Sequence, residues 1–188
     1  MRQPEEKKSA TDAQRRGLVL VYTGNGKGKT TASLGLALRA IGHGSRVFVL
    51  QFMKGPGNVY GEYMAAEKYL PMLTIVRSGR DDFVDKLNPA EEDVRLARQG
   101  LDLARKVISG GEYGLVILDE INVAVDYRLV ALTDVVELLK ARPSHVDVVL
   151  TGRYAAPEIL EMADLVSEVN EVKHHYRKGV PARQGVEY

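Results

Sequence analysis

The sequence predicts an α/β domain, with a mainly parallel sheet covered by helices on both faces. Three observations carry that expectation. Short apolar runs of strand length recur at 18–22, 46–52, 73–77, 114–120 and 147–152. Helix-period patterns separate them, which calls for right-handed crossovers between parallel strands. Glycine-rich or charged segments follow the carboxyl ends of these runs, where sheets of this class bind their ligands.

At 188 residues the chain suits one domain with a sizeable core. A charged fraction of 27% that nearly cancels to +1 gives no reason to expect nucleic acid or membrane as the main partner. The chain has no cysteine, which excludes disulfides, zinc–thiolate sites and cysteine nucleophiles. No apolar run reaches the length of a membrane span, and the start, MRQPEEKKSATDAQRRG, lacks the apolar middle of a secretory signal. The expectation is a soluble cytoplasmic protein with a flexible segment at 1–16 and a nucleotide-binding domain at 17–188.

Taken in order, LVLVY (18–22) reads as a buried strand. The helix after Lys29 sets Leu34, Leu38 and Ile41 on one face and stops at Gly42 and Gly44. RVFVLQF (46–52) is the second strand, and Gly55-Pro56-Gly57 opens a loop into a short helix from Gly61 to about Tyr69. LTIVR (73–77) is the third strand and 78–88 a loop. Asn88 then stands as an N-cap, with Pro89 at the first helical position and Glu91 at capping-box spacing. That helix buries Val94, Ala97, Leu101, Ala104 and Ile108, and ends at Gly110-Gly111. GLVILDE (114–120) has the apolar density of a fully buried strand. A helix around Thr133–Ala141, the strand DVVLTG (147–152), a helix near Pro157–Ala163 and LVSEV (165–169) precede a polar tail. The segments 23–31, 51–61, 78–85, 119–122 and 151–153 all follow strands and are expected on one rim.

The first of them carries the chemistry. YTGNGKGKTT (22–31) follows an apolar strand and opens a helix, the setting of a phosphate-binding loop. In the common pattern G-x-x-x-x-G-K-[ST] the first glycine would stand at Thr23; here it comes at Gly24, one residue late. Gly24, Asn25, Gly26, Lys27, Gly28, Lys29, Thr30 and Thr31 form the candidate cradle. Backbone N–H groups and the helix dipole attract an anion there, Lys29 reaches phosphate oxygens and Thr30 offers its hydroxyl to magnesium. VILDE supplies Asp119 and Glu120 at a strand end, the place of the second magnesium ligand in a P-loop NTPase (RecA-like) fold. The bland readings are a ligand-free turn for the loop and an N-cap or surface ion pair for the acids. Arg153 in TGR and Arg39 are weaker phosphate candidates, either of which a surface role also explains. His43, His145, His174 and His175 lack a third ligand and stay outside the expected metal site.

With the loop, QFMKG (51–55), VILDEIN, TGR and the tail VKHHYRKGVPARQGVEY in view, the chain resembles the P-loop type ATP:corrinoid adenosyltransferases from about Gly17 to Tyr188. The resemblance implies that cobalt(I) of a reduced corrinoid attacks the 5′ carbon of ATP, which is bound in reverse relative to ordinary P-loop proteins. A cobalt–carbon bond forms and triphosphate leaves. ATP as co-substrate, Mg²⁺, a cobalamin-type corrinoid substrate, an electron-donating flavoprotein or reductase, and a homodimer are all implied, as is an N-terminal segment that orders over the corrinoid. Cobalt(I) is itself a strong nucleophile, so the protein's task is alignment and charge stabilisation of the leaving triphosphate. Relatives often carry G-x-x-F-x-W after the third strand, an aromatic pair that displaces the corrinoid's lower ligand. Here SGRDDFVDKLN (78–88) keeps Phe83, puts Asp85 at the tryptophan position, and belongs to a chain without tryptophan. Phe83 is therefore expected to exclude the lower ligand, with help from an aromatic such as Tyr176. The competing expectations are a conventional P-loop NTPase or kinase and a non-catalytic nucleotide-binding module.

Overall fold

In a computed structural model, residues 16–57 and 60–188 are described. The expected leader therefore lies outside the described residues except for Arg16, as do two positions of the 51–61 loop. The strands are β1 (Val19–Thr23), β2 (Val47–Phe52), β3 (Leu73–Ser78), β4 (Leu115–Asp119), β5 (Asp147–Thr151) and β6 (Leu165–Glu168). The helices are α1 (Lys29–Gly42), α2 (Gly61–Tyr69), α3 (Glu91–Gly110), α4 (Ile121–Asp126), α5 (Leu132–Ala141) and α6 (Pro157–Met162), with a 3₁₀ turn at His175–Lys178. Among the described residues the sheet has six strands in the order β3-β2-β4-β5-β1-β6, and every pairing is parallel. This is the α/β, P-loop NTPase-like class that the sequence predicts.

Period-two alternation splits the strand side chains between two cores. Val19, Val21, Phe48, Leu50 and Phe52 face α3, α4, α5 and α6, meeting Ala97, Leu101, Ile121, Leu138 and Ile159. Leu20, Val47, Val49, Ile117 and Val149 face the other way, toward Ala37 of α1 and Ala66 of α2. With both faces covered, β2, β4 and β5 need no polar positions until their carboxyl ends. Gln51, Asp119 and Thr151 appear there, each fully buried.

Two local expectations change. On α1 the buried residues after Lys29 are Ser33 and Ala37; Leu34 and Ile41 pack partly, and Leu38 is exposed. The helix lies on β1, β4 and β5, and the buried stripe is made of small side chains that admit close approach, so it sits one residue away from the leucine pattern. The second change is at α3, which starts at Glu91 with Ala90 as its cap, two residues after Asn88. The capping carboxylate comes from inside the helix: Asp93 Oδ2 accepts the Ala90 N–H at 3.2 Å. Arg80 orients it with a two-pronged contact, Nε to Oδ1 at 2.8 Å and Nη2 to Oδ2 at 3.0 Å. That guanidinium holds the Asp93 carboxyl below its ordinary pKa, against the opposing effect of burial. One helix was not expected at all. The six residues of α4 follow the acid pair directly and bury Ile121, Asn122 and Ala124. Among the described residues no helix is long and apolar enough to cross a membrane.

Candidate functional site

β5 lies between β1 and β4, so the glycine-rich loop and the acid pair are one strand apart at the carboxyl rim. The register sets Gln51 beside Asp119 and Tyr22 beside Thr151, which brings four strand ends together. Asp119 is the hub. Its Oδ1 accepts from Thr30 Oγ1 at 2.8 Å and Thr151 Oγ1 at 2.7 Å; its Oδ2 accepts from Gln51 Nε2 at 3.2 Å. Lys54 Nζ lies 3.3 Å from the same Oδ2. A fully buried carboxylate needs such partners.

Glu120 is different. Its backbone N–H donates to Thr151 Oγ1 at 2.9 Å, and its φ of 62° turns the side chain out of the strand line. Among the described residues its carboxylate accepts no hydrogen bond, although it is partly buried at the pocket wall. Burial and the neighbouring Asp119 raise its pKa, while Lys29, Lys54 and Arg153 act in the opposite sense. Left-handed backbone on a non-glycine residue costs roughly 1–2 kcal/mol. It recurs at Met53 and Tyr154, so three of the four such residues described follow β2, β4 and β5, the fourth being Arg128 after α4. Concentration at one rim marks a site held by the surrounding structure.

The loop is pinned from behind. Gly26 N–H donates to Val169 O at 2.7 Å, and Asn25 Oδ1 accepts from Glu171 N–H at 3.1 Å. Gly24 has φ +93°, and a Cβ there would meet Val169 O at 2.5 Å, so only glycine lets the two backbones touch. The contracted loop thus fits against the segment after β6. Lys29 Nζ folds back on its own loop, donating to Gly24 O at 2.9 Å and Gly26 O at 2.6 Å. Burial lowers its pKa, partly offset by Glu120 and Asp119. Lys27 points the other way, to Val186 O at 2.7 Å and Glu187 at 2.9 Å.

A cavity of about 650 Å³ lies over the loop. Asn25 through Thr31 and Leu34 line one side, Gly61, Glu62 and Lys54 another, and Arg153, Glu120, His174 and the tail residues 185–188 close it. A second cavity of about 280 Å³ lies next to it, lined by Phe52, Tyr60, Tyr127, Val123 and the 81–84 stretch. Lys54 and Glu120 line both. The five expected segments therefore do meet on one rim. Phe83 stands at the second cavity with its ring fully exposed, and its aromatic neighbours there are Tyr60 and Tyr127; Tyr176 does not line it. Asp85 turns its carboxylate to the Leu87 N–H at 2.9 Å.

One candidate is displaced. Arg39 lies near the far end of α1, ten residues or about 15 Å from Lys29. It lines a separate cavity with Leu18, His43, Leu115 and Asp147 at the amino ends of the strands. One face of a helix can hold residues from both of its ends, and the sequence pattern does not say which end the ligand meets. Lys54, Gln51, Glu62, Thr151 and the tail contacts were missed. Gln51, Lys54, Thr151 and the tail were legible only within QFMKG, TGR and the tail motif of the resemblance, and Glu62 carries no local signature.

The family described as ATP:corrinoid adenosyltransferase BtuR/CobO/CobP matches residues 15–188. A corrinoid adenosyltransferase of Sinorhizobium sp. is 38% identical over 184 residues, covering 97% of this chain and 86% of that protein. The corrinoid adenosyltransferase of Escherichia coli K12 is 38% identical over 98% of this chain and 93% of its own length. The corrinoid adenosyltransferase CobA of Salmonella typhimurium is 37% identical over 93% and 87%.

Proposed function

The chain belongs to the ATP:corrinoid adenosyltransferase family and is a transferase that adenosylates corrinoids with ATP; from that premise we propose how its rim carries the reaction. The conventional NTPase or kinase and the non-catalytic module are not favoured. The observation that carries the proposal is the pair of adjoining cavities that share Lys54 and Glu120. An enzyme acting at a terminal phosphate needs only the loop chamber. A transfer from the 5′ carbon needs the nucleoside end to reach a second substrate next door.

The triphosphate occupies the loop chamber, against the N–H groups of Lys27 to Thr31 and the amino end of α1. Lys29 exchanges Gly24 O and Gly26 O for phosphate oxygens, and Lys27 and Arg153 add charge at the rim. Mg²⁺ fits the donor set here. Glu120 is a desolvated carboxylate without a hydrogen-bond donor among the described residues, and Thr30 Oγ1 is already held toward the same corner by Asp119. Thr30 and Glu120 would hold the ion, with Asp119 orienting Thr30, and it would supply charge neutralisation to the phosphates. The corrinoid presents its cobalt from the second cavity, with Phe83 against its lower face. Cobalt(I) attacks C5′, the cobalt–carbon bond forms, and the C5′–O bond breaks with its electron pair leaving on triphosphate. No general base is needed.

A homodimer, an electron-donating flavoprotein or reductase that supplies cobalt(I), and a cytoplasmic location belong to this proposal as the setting in which the chain works. The test is anaerobic incubation with ATP, magnesium and chemically reduced cobalamin. The cobalt–carbon product spectrum with one triphosphate per corrinoid is expected; ADP and phosphate, or binding without turnover, would overturn the reading.

A further inference from the structure

We propose that Lys54 is a catalytic residue of this reaction, the cation that meets the negative charge developing on the leaving oxygen of ATP. The inference rests on the functional reading above and adds to it a residue that lies outside the loop and outside the acid pair.

Displacement at C5′ puts the nucleophile and the leaving group on opposite sides of that carbon. With triphosphate in the loop chamber and the corrinoid in the second cavity, C5′ crosses the wall between them. Among the described residues Lys54 and Glu120 form that shared wall, and Lys54 is its cation. Lys27 turns to Val186 O and Glu187, and Lys29 folds back on Gly24 O and Gly26 O, so both stay with the loop and neither lines the second cavity. The charge that forms as the C5′–O bond breaks therefore appears beside Lys54, where a positioned donor acts most strongly.

The backbone fixes this lysine in place. Met53 takes φ 58° and turns the chain off the end of β2, while its N–H donates to Ser78 O at 2.9 Å. The turn is packed against the base of the 78–88 strap so tightly that glycine is required on both sides. A Cβ on Gly79 would lie 2.5 Å from Met53 Cα, and one on Gly55 would lie 2.4 Å from Asp81 N. The side chain is then led inward until it is mostly buried, with Nζ 4.6 Å from the Tyr60 ring centroid. Its Nζ stands between two carboxylates, 3.3 Å from Asp119 Oδ2 and 3.4 Å from Glu62 Oε1, to which it donates a hydrogen bond. A tight ammonium–carboxylate contact is nearer ~2.8 Å. Asp119 has three other donors besides, so it does not depend on this lysine for its own satisfaction. With both contacts longer than that, a leaving oxygen can replace either carboxylate at Lys54 without stranding Asp119.

The test compares wild type, Lys54→Met and Lys54→Arg in the full chain, with chemically pre-reduced cob(I)alamin and saturating ATP. Triphosphate release and the cobalt–carbon spectrum give kcat, calorimetric titration gives ATP affinity, and thermal unfolding gives Tm. Loss of one such donor is expected to lower kcat about 10²–10³-fold in Lys54→Met. ATP affinity should change by less than about threefold, Tm should hold, and Lys54→Arg should recover at least about tenfold. A kcat within threefold of wild type in Lys54→Met would overturn the proposal. So would parallel losses of affinity, Tm and kcat that arginine does not repair, the signature of a structural ion pair. The wild-type products separate this test from the reading beneath it. ADP and phosphate from wild type would remove the reaction itself, whereas normal wild-type products with a fast Lys54→Met would remove only the role of Lys54.

Discussion

In the loop chamber Lys27, Lys29, Lys54 and Asp119 all have partners inside the protein, whereas the neighbouring 78–88 strap turns Phe83 and Leu87 fully into solvent. The strap is anchored at both ends. Arg80 grips Asp93 on one side; on the other, Lys86 pairs with Asp126 at 2.6 Å and lies over the rings of Tyr127 and Tyr154. Between those anchors Val84 packs partly against the core, while Phe83 stays fully exposed. One wall of the rim is thus already satisfied, and its ligand must replace existing hydrogen bonds. The other holds apolar surface that a ligand completes. In the proposed site, preformed polarity is what would align the triphosphate, and exposed apolar area what would select a large, flat partner.

Lys29→Ala tests the satisfied wall most severely. It removes both the phosphate contact and the two bonds that hold the empty loop, so turnover at saturating ATP should fall by about 10²–10³-fold. Near-normal kcat in a folded variant would show that the chamber does not depend on this lysine.

Glu120→Gln keeps the shape but removes the carboxylate that has no donor among the described residues. Activity should fall at least about tenfold, the scale at which even groups one step from a metal act, and the magnesium requirement should shift to higher concentration. An unchanged magnesium titration would move the role to Asp119.

Phe83→Ala tests the other wall. The ring is fully exposed in the free protein, so Tm should stay within about 0.5 kcal/mol equivalent of wild type. Reaction from pre-reduced cobalt(I) should be nearly unaffected. Reaction from cobalt(II) with a reducing protein should drop by up to about tenfold, the worth of one aromatic contact. Paramagnetic resonance of the cobalt(II) complex with ATP reads the coordination number directly, and an equal four-coordinate signal in wild type and variant would clear Phe83 of the role.

The smallest effect is expected from Asp93→Asn, which loosens the strap's anchor without touching either cavity. Arg80 is partly solvated, which limits the pair, and the helix cap adds to it; together they suggest about 1–2 kcal/mol of lost stability. The folded-state pKa of Asp93 is depressed, first by Arg80. Its contribution is therefore full above the unfolded value of about 3.9 and disappears as pH falls through the folded value. The wild-type advantage in denaturant should be present at pH 7 and shrink below about pH 4; an advantage independent of pH would place the effect in packing.

What the sequence by itself determined is whatever acts over a few residues. The loop is one such case, since a strand, three glycines, Lys29 and Thr30 form a phosphate cradle within ten positions. Asp119 and Glu120 are another, because four apolar residues before two acids read as a buried strand that ends at a rim. Tertiary structure decided the rest. It set which stripe of α1 is buried, and so placed Arg39 at the wrong end of the strands. It brought Thr151 to Asp119 across 32 positions, Lys54 to the same carboxylate from another strand, and Val186 to Lys27 across 159. These contacts follow from the strand order β3-β2-β4-β5-β1-β6, which sets β5 between the loop and the acids and β2 beside them. Hydrophobic periodicity says that a strand is buried but not which strand lies next to it, because any apolar strand satisfies the backbone hydrogen bonds of its neighbour equally well. The order is chosen by how all the helices pack over both faces at once.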